Sequence, residues 1–268
     1  MESLEAELER ARDLDVGAVA DAVESMGFEC TRCGACCTGE TAADGGTEPH
    51  TATVFPDEVR TLEGAADGSH SPDGSRELPR SDAPRNSRST DRSREWRDVA
   101  RPMPYGLTEG DDGPEGETFE WALQTDACGD CAFYAEDDDG VGACTVHDDR
   151  PLICETYPFS VALEGTSQPM GEPVDSVALA GQREDGEADD AGMVRAHECE
   201  GLGRDISRED AEELARALKE RAVRELEEAV GVRDAYRPVE TGPGEVVVHD
   251  SEGAKRPDGT AVDATGGE

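Results

Sequence analysis

The sequence predicts a small α+β fold in which short strands and irregular loops are stapled together at cysteines and flanked by helices. Helix-forming segments stand towards both ends of the chain, and short strand-like runs lie between them. The apolar core is expected to be thin, because only 35% of the residues are hydrophobic and 4% are aromatic. Nine cysteines among 268 residues are therefore expected to supply cohesion that the core lacks.

Residues 1–27 are predicted to form two helices, over 3–14 and 16–26. In each segment the apolar side chains recur at the spacing of one helix face. Asp15 is placed to cap the start of the second helix, and Gly27 is placed to end it in a left-handed turn. Both helices are expected to pack against the rest of the fold, with no more specific role.

Residues 28–203 are predicted to form a cysteine-bearing domain with little regular structure. An extended run covers 51–55, and Pro56 opens a helical turn after it. Alternating apolar and polar residues predict a strand over 118–123, and a further short strand is expected at 177–180.

A disordered insertion is predicted at about 64–95, where Gly, Ser, Pro, Asp and Arg leave almost nothing apolar to bury. Arginines gather in its second half and beyond, which makes this the least acidic part of the chain. A solvated linker is the preferred interpretation. An arm that binds an anion or a protein partner is the alternative.

Residues 204–236 are predicted to form the clearest helix of the chain. Ser207 supplies an N-cap, Asp210 takes the capping-box position, and an apolar stripe continues to about Val230. The segment 237–268 is predicted to be a flexible tail, although it contains one run of three valines.

The charge of the chain limits its surroundings and its partners. It carries 25 basic and 64 acidic residues, a net charge of −39, spread along almost the whole length. Repulsion of this size favours a salt-accumulating, halophilic cytoplasm, because molar salt screens it. Binding to nucleic acid is not expected, because phosphates would be repelled.

The acidic first residues lack the apolar segment of a signal peptide, and no run is long and apolar enough for a membrane span. The chain is therefore expected in the cytoplasm, away from membranes. In that reducing compartment cysteines serve as metal ligands or redox groups more often than as disulfides.

The strongest motif is Cys30-x2-Cys33-Gly34-x-Cys36-Cys37, with four cysteines in eight residues. Two thiolates spaced C-x2-C on a tight turn can reach one metal ion, and Gly34 allows a positive φ in that turn. The adjacent pair Cys36 and Cys37 would point in different directions in an extended backbone. The pair therefore serves two metal sites or one bridged cluster, and both alternatives stay open.

Later cysteines fall in the part of the chain that is richest in aromatic residues. They form the runs Cys128-x2-Cys131-Ala-Phe, Cys144-x2-His147, Arg150-Pro151-x2-Cys154 and Tyr157-Pro158, with Cys199 after a long acidic loop. Two prolines bracket Cys154 and restrict its backbone, which suits a fixed ligand. Nine cysteines are enough for two four-ligand sites with one left over.

In this order the motifs resemble the YkgJ-type cysteine cluster family, a family of zinc- or iron-chelating domains that are sometimes labelled iron–sulfur proteins. The resemblance covers roughly residues 28–203. It implies a ligand set of Cys30, Cys33, Cys36, Cys37, Cys131, Cys144, Cys154 and Cys199, and it leaves Cys128 as an extra. Two features depart from the family pattern, namely Glu155 at a position where a basic residue is common and the long insertion. Neither removes a ligand.

Two histidines and an arginine lie close to these cysteines in the sequence. His147 is interpreted as a packed ring beside Arg150, with a ligand or acid–base role as the alternative. His197, two residues before Cys199, is a weaker candidate than His147 for a role at the metal. Arg150 is expected to hold a backbone carbonyl or a carboxylate near the site.

The metal is predicted to be an iron–sulfur cluster, slightly favoured over zinc. The spacing from Cys30 to Cys36 matches the run that surrounds a cluster in bacterial ferredoxins. Against this, the ferredoxin run continues to Cys-Pro, whereas Cys37-Thr38 follows here. Zinc sites more often use two C-x2-C hairpins, and Cys128 with Cys131 could supply the second.

Three functions are compatible with such a centre. The first is a redox protein or metal carrier without catalysis of its own. The second is an enzyme, because some members of the family are associated with protein lysine N-methylation, although no convincing glycine-rich nucleotide loop is present. The third is a structural zinc domain that presents a surface to an unidentified protein partner. The sequence does not name a substrate.

Overall fold

A computed structural model describes residues 3–41, 46–65, 94–163, 166, 173–179 and 193–262. Its helices and small sheets confirm the predicted α+β class. The insertion predicted at about 64–95 lies largely outside the described residues. In the part that is described, no helix has the length and apolar character needed to cross a membrane. The predicted division into domains stays a prediction.

The described elements are mostly short. The helices are α1 (Leu4–Arg12), α2 (Val16–Met26), α3 (Pro56–Gly64), α4 (Trp96–Val99), α5 (Leu152–Thr156) and α6 (Arg208–Ala235), with a 3-10 turn at His147–Asp149. The strands are β1 (Glu40–Thr41), β2 (Thr47–Glu48), β3 (Thr53–Val54), β4 (Ala100–Pro102), β5 (Leu107–Gly110), β6 (Gly113–Thr118), β7 (Trp121–Leu123), β8 (Tyr134–Glu136), β9 (Gly142–Cys144), β10 (Phe159–Ala162), β11 (Pro173–Ala178), β12 (Met193–His197), β13 (Val246–Asp250) and β14 (Gly253–Lys255).

The first core lies between α1, α2, α6 and the antiparallel sheet β10-β12-β11. The predicted N-terminal helices are confirmed, and the Asp15 carboxylate accepts a 2.8 Å hydrogen bond from the Ala18 N–H as the N-cap of α2. Gly27 ends α2 with a φ of +70°. A Cβ there would stand 2.4 Å from the Arg204 carbonyl oxygen, so the chain can approach this closely only at glycine.

Helix α6 begins where the sequence predicted, with the Ser207 hydroxyl accepting a 3.1 Å hydrogen bond from the Asp210 N–H. It runs five residues past the predicted end near Val230, to Ala235. The buried Arg221 on this helix donates hydrogen bonds to the Thr156 hydroxyl at 3.0 Å and to the Phe159 carbonyl at 3.3 Å. Arg221 thereby ties the end of α5 to the start of β10.

The second core lies under the antiparallel sheet β3-β7-β4 together with α3 and α4. Trp96 and Trp121 meet edge to face in it, with 5.1 Å between ring centroids. The predicted strand over 118–123 is corrected here, because β6 ends at Thr118 and β7 begins at Trp121 in a different sheet. Between them Phe119 is 48% exposed, so the alternation does not continue.

The predicted flexible tail is also corrected. Strand β13 pairs in parallel with β6, and β14 folds back on β13, which completes the four-stranded sheet β14-β13-β6-β5. Buried Asp250 accepts hydrogen bonds from the Trp121 indole at 2.9 Å and from the Lys255 ammonium at 2.7 Å. The segment is therefore anchored to the second core, and only 263–268 of it lies outside the described residues.

Candidate metal centre

The loop from Cys30 to Cys37 turns sharply at its centre. Arg32 has a φ of +57° and Gly34 a φ of +80°, and the Cys37 N–H donates a 2.7 Å hydrogen bond to the Gly34 carbonyl. The tight turn predicted around Gly34 is therefore present.

The turn is closed from outside by the half-buried side chain of Tyr134 on β8. A Cβ at position 34 would stand 2.1 Å from the Tyr134 hydroxyl oxygen and 2.6 Å from the ring carbon that bears it. The Tyr134 hydroxyl donates a 3.0 Å hydrogen bond to Glu136 on the same strand. Only glycine fits at position 34 while the tyrosine holds this place.

The loop is fastened to the hairpin β8-β9 and to the segment just before that hairpin. The Cys131 N–H donates a 2.8 Å hydrogen bond to the Cys37 carbonyl, and the Gly142 N–H donates one of 2.8 Å to the Arg32 carbonyl. Within the hairpin Tyr134 pairs with Cys144. These backbone contacts bring Cys37, Cys131 and Cys144 into one neighbourhood beside the second core.

The N-terminal end of the loop is fastened to the segment that carries Cys199. The Glu29 N–H donates a 3.0 Å hydrogen bond to the Gly201 carbonyl, and Phe28 forms an antiparallel bridge with Leu202. The Gly201 N–H in turn donates to the Cys199 sulfur at 3.4 Å. Cys199 is therefore placed beside the start of the cysteine loop.

Helix α5 carries Cys154 and is held at its N-terminus by a residue that the sequence reasoning missed. One oxygen of the Glu58 carboxylate accepts a 2.9 Å hydrogen bond from the Leu152 N–H, and the other accepts one of 2.9 Å from the Phe55 N–H. Glu58 thus caps α3 and α5 together, and burial raises its pKa. In the sequence, a glutamate in the first turn after Pro56 predicts a cap for α3, but it does not predict a second cap for α5.

The adjacent thiols of Cys36 and Cys37 lie 3.7 Å apart, sulfur to sulfur. The hydrogen bond between the two sulfur atoms lowers the pKa of Cys36 to about 7 and raises the pKa of Cys37. One thiolate is therefore stabilised next to a thiol that keeps its proton. Cys36 is the more exposed member of the pair.

Burial is the main influence on the other clustered thiols. It raises the pKa of Cys131 to about 11, and it raises those of Cys144 and Cys199 as well. The pKa of Cys154 is raised well above its usual value, first by burial and then by the charges of Cys131 and Cys144. The thiols are thus near enough to disfavour one another's ionisation.

A family model described as "CxxCxxCC: Putative zinc- or iron-chelating domain" matches residues 29–200, more than half of the chain. The chain belongs to this CxxCxxCC family. The resemblance seen in the sequence is thereby confirmed, and with it a general assignment to metal binding. No curated protein and no solved structure matched the chain.

The donors of this CxxCxxCC domain fit the group that the family implies. Thiolates are soft ligands that suit zinc and iron–sulfur clusters, and a bound cation would stabilise the thiolate form of the cysteines whose pKa burial raises. Among the described residues, however, no three Cys, His, Asp or Glu side chains are already arranged round one point as metal ligands are. Binding therefore requires the cysteine side chains to turn towards each other.

The two histidines lie in different surroundings. His147 is exposed, so it is not the packed ring that the sequence predicted, although its Nδ1 stands 3.0 Å from the Arg150 guanidinium. Arg150 also reaches the His147 carbonyl at 3.5 Å. His197 is buried on β12, with its Nε2 3.0 Å from the Ser160 hydroxyl. Cys128 is exposed in a turn that the Asp126 carboxylate closes.

Proposed function

We propose that this CxxCxxCC domain binds iron or zinc through eight cysteines and serves as a redox protein or metal carrier. The observation that supports it most is the gathering of thiols from four separate parts of the chain around the loop Cys30–Cys37. Backbone hydrogen bonds bring Cys131 to one end of this loop and the Cys199 segment to the other. Such convergence of thiols has little value for packing and much for binding a metal ion.

An iron–sulfur cluster is the favoured occupant. The C-x2-C-x2-C spacing suits a cluster, and the Gly201 N–H that points at the Cys199 sulfur is the kind of donor that tunes cluster potentials. Cys30, Cys33 and Cys36 are all exposed. A cluster held by them would stand at the surface, where electrons or the metal itself can pass to a partner.

A structural zinc site is the second candidate, supported by a different observation. Cys131 is a member of the second core, and Cys37, Cys144 and Cys154 pack against it. A closed tetrathiolate site inside a thin core contributes folding energy, with apparent binding energies of about 10–16 kcal/mol in small zinc domains. This candidate leaves the exposed surface free for a protein partner.

Purification without exposure to air, followed by analysis for iron, zinc and acid-labile sulfide and a visible spectrum, tests the proposal. The favoured form predicts iron and sulfide together with a visible charge-transfer band. Stoichiometric zinc without sulfide would move the assignment to the structural zinc domain. Protein that contains neither metal, and takes up neither when both are supplied under reducing conditions, would refute the proposal.

A further inference from the structure

We propose that the eight cysteines form two adjacent four-thiolate sites, and this rests on the proposed function. The inner site consists of Cys37, Cys131, Cys144 and Cys154. The outer site consists of Cys30, Cys33, Cys36 and Cys199. The border between the two sites runs between the adjacent residues Cys36 and Cys37.

The inner set is defined by its place in the fold. Cys131 belongs to the second core, and the three other members of this set are the cysteines that pack against that core from partly buried positions. Backbone contacts also join them, because Cys131 N–H donates to the Cys37 carbonyl and Cys144 pairs with Tyr134. Cys154 is added by α5, whose N-terminus Glu58 fixes to α3.

The outer set consists of the cysteines of the loop and of the segment beside its start that are not among those packed against the second core. Three of its members are exposed, and Cys199 is partly buried. The Glu29–Gly201 hydrogen bond and the Phe28–Leu202 bridge hold the two chain segments side by side.

The adjacent pair can supply one ligand to each site. Cys37 is packed against the second core, whereas its neighbour Cys36 is exposed. Their sulfur atoms are 3.7 Å apart, so the two sites would touch at this point. A pair of consecutive cysteines is useful in this position, because the two side chains can serve an inner and an outer ion from one turn of backbone.

The two sites should differ in how readily they exchange metal. A ligand in the core can leave the metal only when the core opens, and opening costs up to the global free energy of unfolding. The exposed ligands of the outer site are restrained by less packing. We therefore expect the inner metal to be retained and structural, and the outer metal to be the one that is exchanged or exposed to a partner.

Zinc alone is a sufficient probe of this arrangement. Protein purified from zinc-supplemented cells under reducing conditions is analysed by native mass spectrometry, together with Cys199→Ser, Cys131→Ser and the matched control Cys128→Ser. We expect two zinc ions in the wild type and in Cys128→Ser, and one in Cys199→Ser and in Cys131→Ser. In the wild type a chelator should remove one ion well before the other.

Cys131→Ser also removes a core side chain, so Cys144→Ser provides a second inner variant and circular dichroism verifies that each variant is folded. Folded Cys199→Ser that keeps one ion, which a chelator removes only slowly, supports the inference. A single zinc ion in the wild type, or loss of all zinc from folded Cys199→Ser, would overturn the two-site arrangement while leaving metal binding intact. Wild-type protein that binds no metal at all would instead refute the proposed function beneath it.

Discussion

At Gly34 the absence of a side chain decides whether the cysteine loop can close. The residue has a φ of +80°, and the Tyr134 hydroxyl occupies the place where a Cβ would stand, at 2.1 Å. Gly203 has a similar φ of +75°, but open space surrounds its Cβ position. The two glycines separate the effect of backbone conformation from the effect of a steric clash.

Gly34→Ala is therefore expected to destabilise the protein more than Gly203→Ala does. Left-handed backbone costs either variant about 1–2 kcal/mol, and displacing Tyr134 adds about 1–3 kcal/mol to the first. The measurement is the free energy of unfolding by denaturant, with bound metal determined on the same samples. Equal losses in both variants would show that Tyr134 moves aside without cost.

The sequence identifies the cysteines of the candidate centre as a set, but it does not show which of them lie beside one another. The spacing from Cys30 to Cys37 indicates a metal-binding turn because the relevant contacts are local. Whether Cys131 lies beside Cys37 or Cys199 depends on hydrogen bonds between distant segments. The double cap made by Glu58 was missed for the same reason, since Leu152 is far from it in sequence.

Among the elements, the helices were predictable and the last strands were not. Helix caps and apolar stripes are local features of a sequence. As these features predict, α2 begins directly after Asp15 and α6 directly after Ser207. In the sequence, strand β13 is an isolated run of valines within a polar tail. Its parallel partner β6 lies far away along the chain, and no local feature identifies such a partner.

The hairpin β13-β14 is attached to α6 by a contact that should respond to pH. The partly buried Glu228 carboxylate accepts a 2.8 Å hydrogen bond from the Ser251 N–H, and desolvation raises the pKa of Glu228. For a pKa raised on folding, the stabilising contribution is complete below the unfolded value near 4.3 and is lost as pH rises through the folded value. Charged Glu228 is thus less favourable here than a neutral isostere.

Glu228→Gln should therefore gain stability relative to the wild type as pH rises from about 4 to about 7. Glutamine keeps an oxygen that can accept from Ser251, so the difference between the two proteins isolates the charge. The free energy of unfolding is measured across this range, with Glu213→Gln, an exposed position on the same helix, as the control. A difference that is flat or that moves in the opposite direction would contradict the assignment.

For the whole molecule, net charge outweighs the individual ion pairs. The exposed Arg208 bridges Asp21 and Glu24 of α2 and Glu212 of α6, but exposed pairs of this kind contribute only about 0–1 kcal/mol each. Carboxylates exceed basic groups by 39. Screening the excess should therefore stabilise the fold by more than screening the pairs destabilises it.

Raising the salt concentration from about 0.1 M to molar levels is expected to raise the melting temperature of the metal-loaded protein, because the Debye length falls from about 10 Å to about 3 Å. Calorimetry in potassium chloride measures this effect. All buffers contain the same concentration of metal, so that a change in melting temperature is not caused by loss of metal. A melting temperature that is constant or falls across this range would contradict the halophilic interpretation.

In both candidate centres sulfur alone surrounds the metal, and every protein ligand is a cysteine. X-ray absorption at the edge of whichever metal the anaerobically purified protein contains tests it most directly. We predict a first shell of sulfur at about 2.3 Å, unchanged in Cys128→Ser and in His147→Ala. A first shell that contains nitrogen or oxygen at about 2.0–2.2 Å would show that histidine or carboxylate takes the place assigned to a cysteine, and would contradict the account.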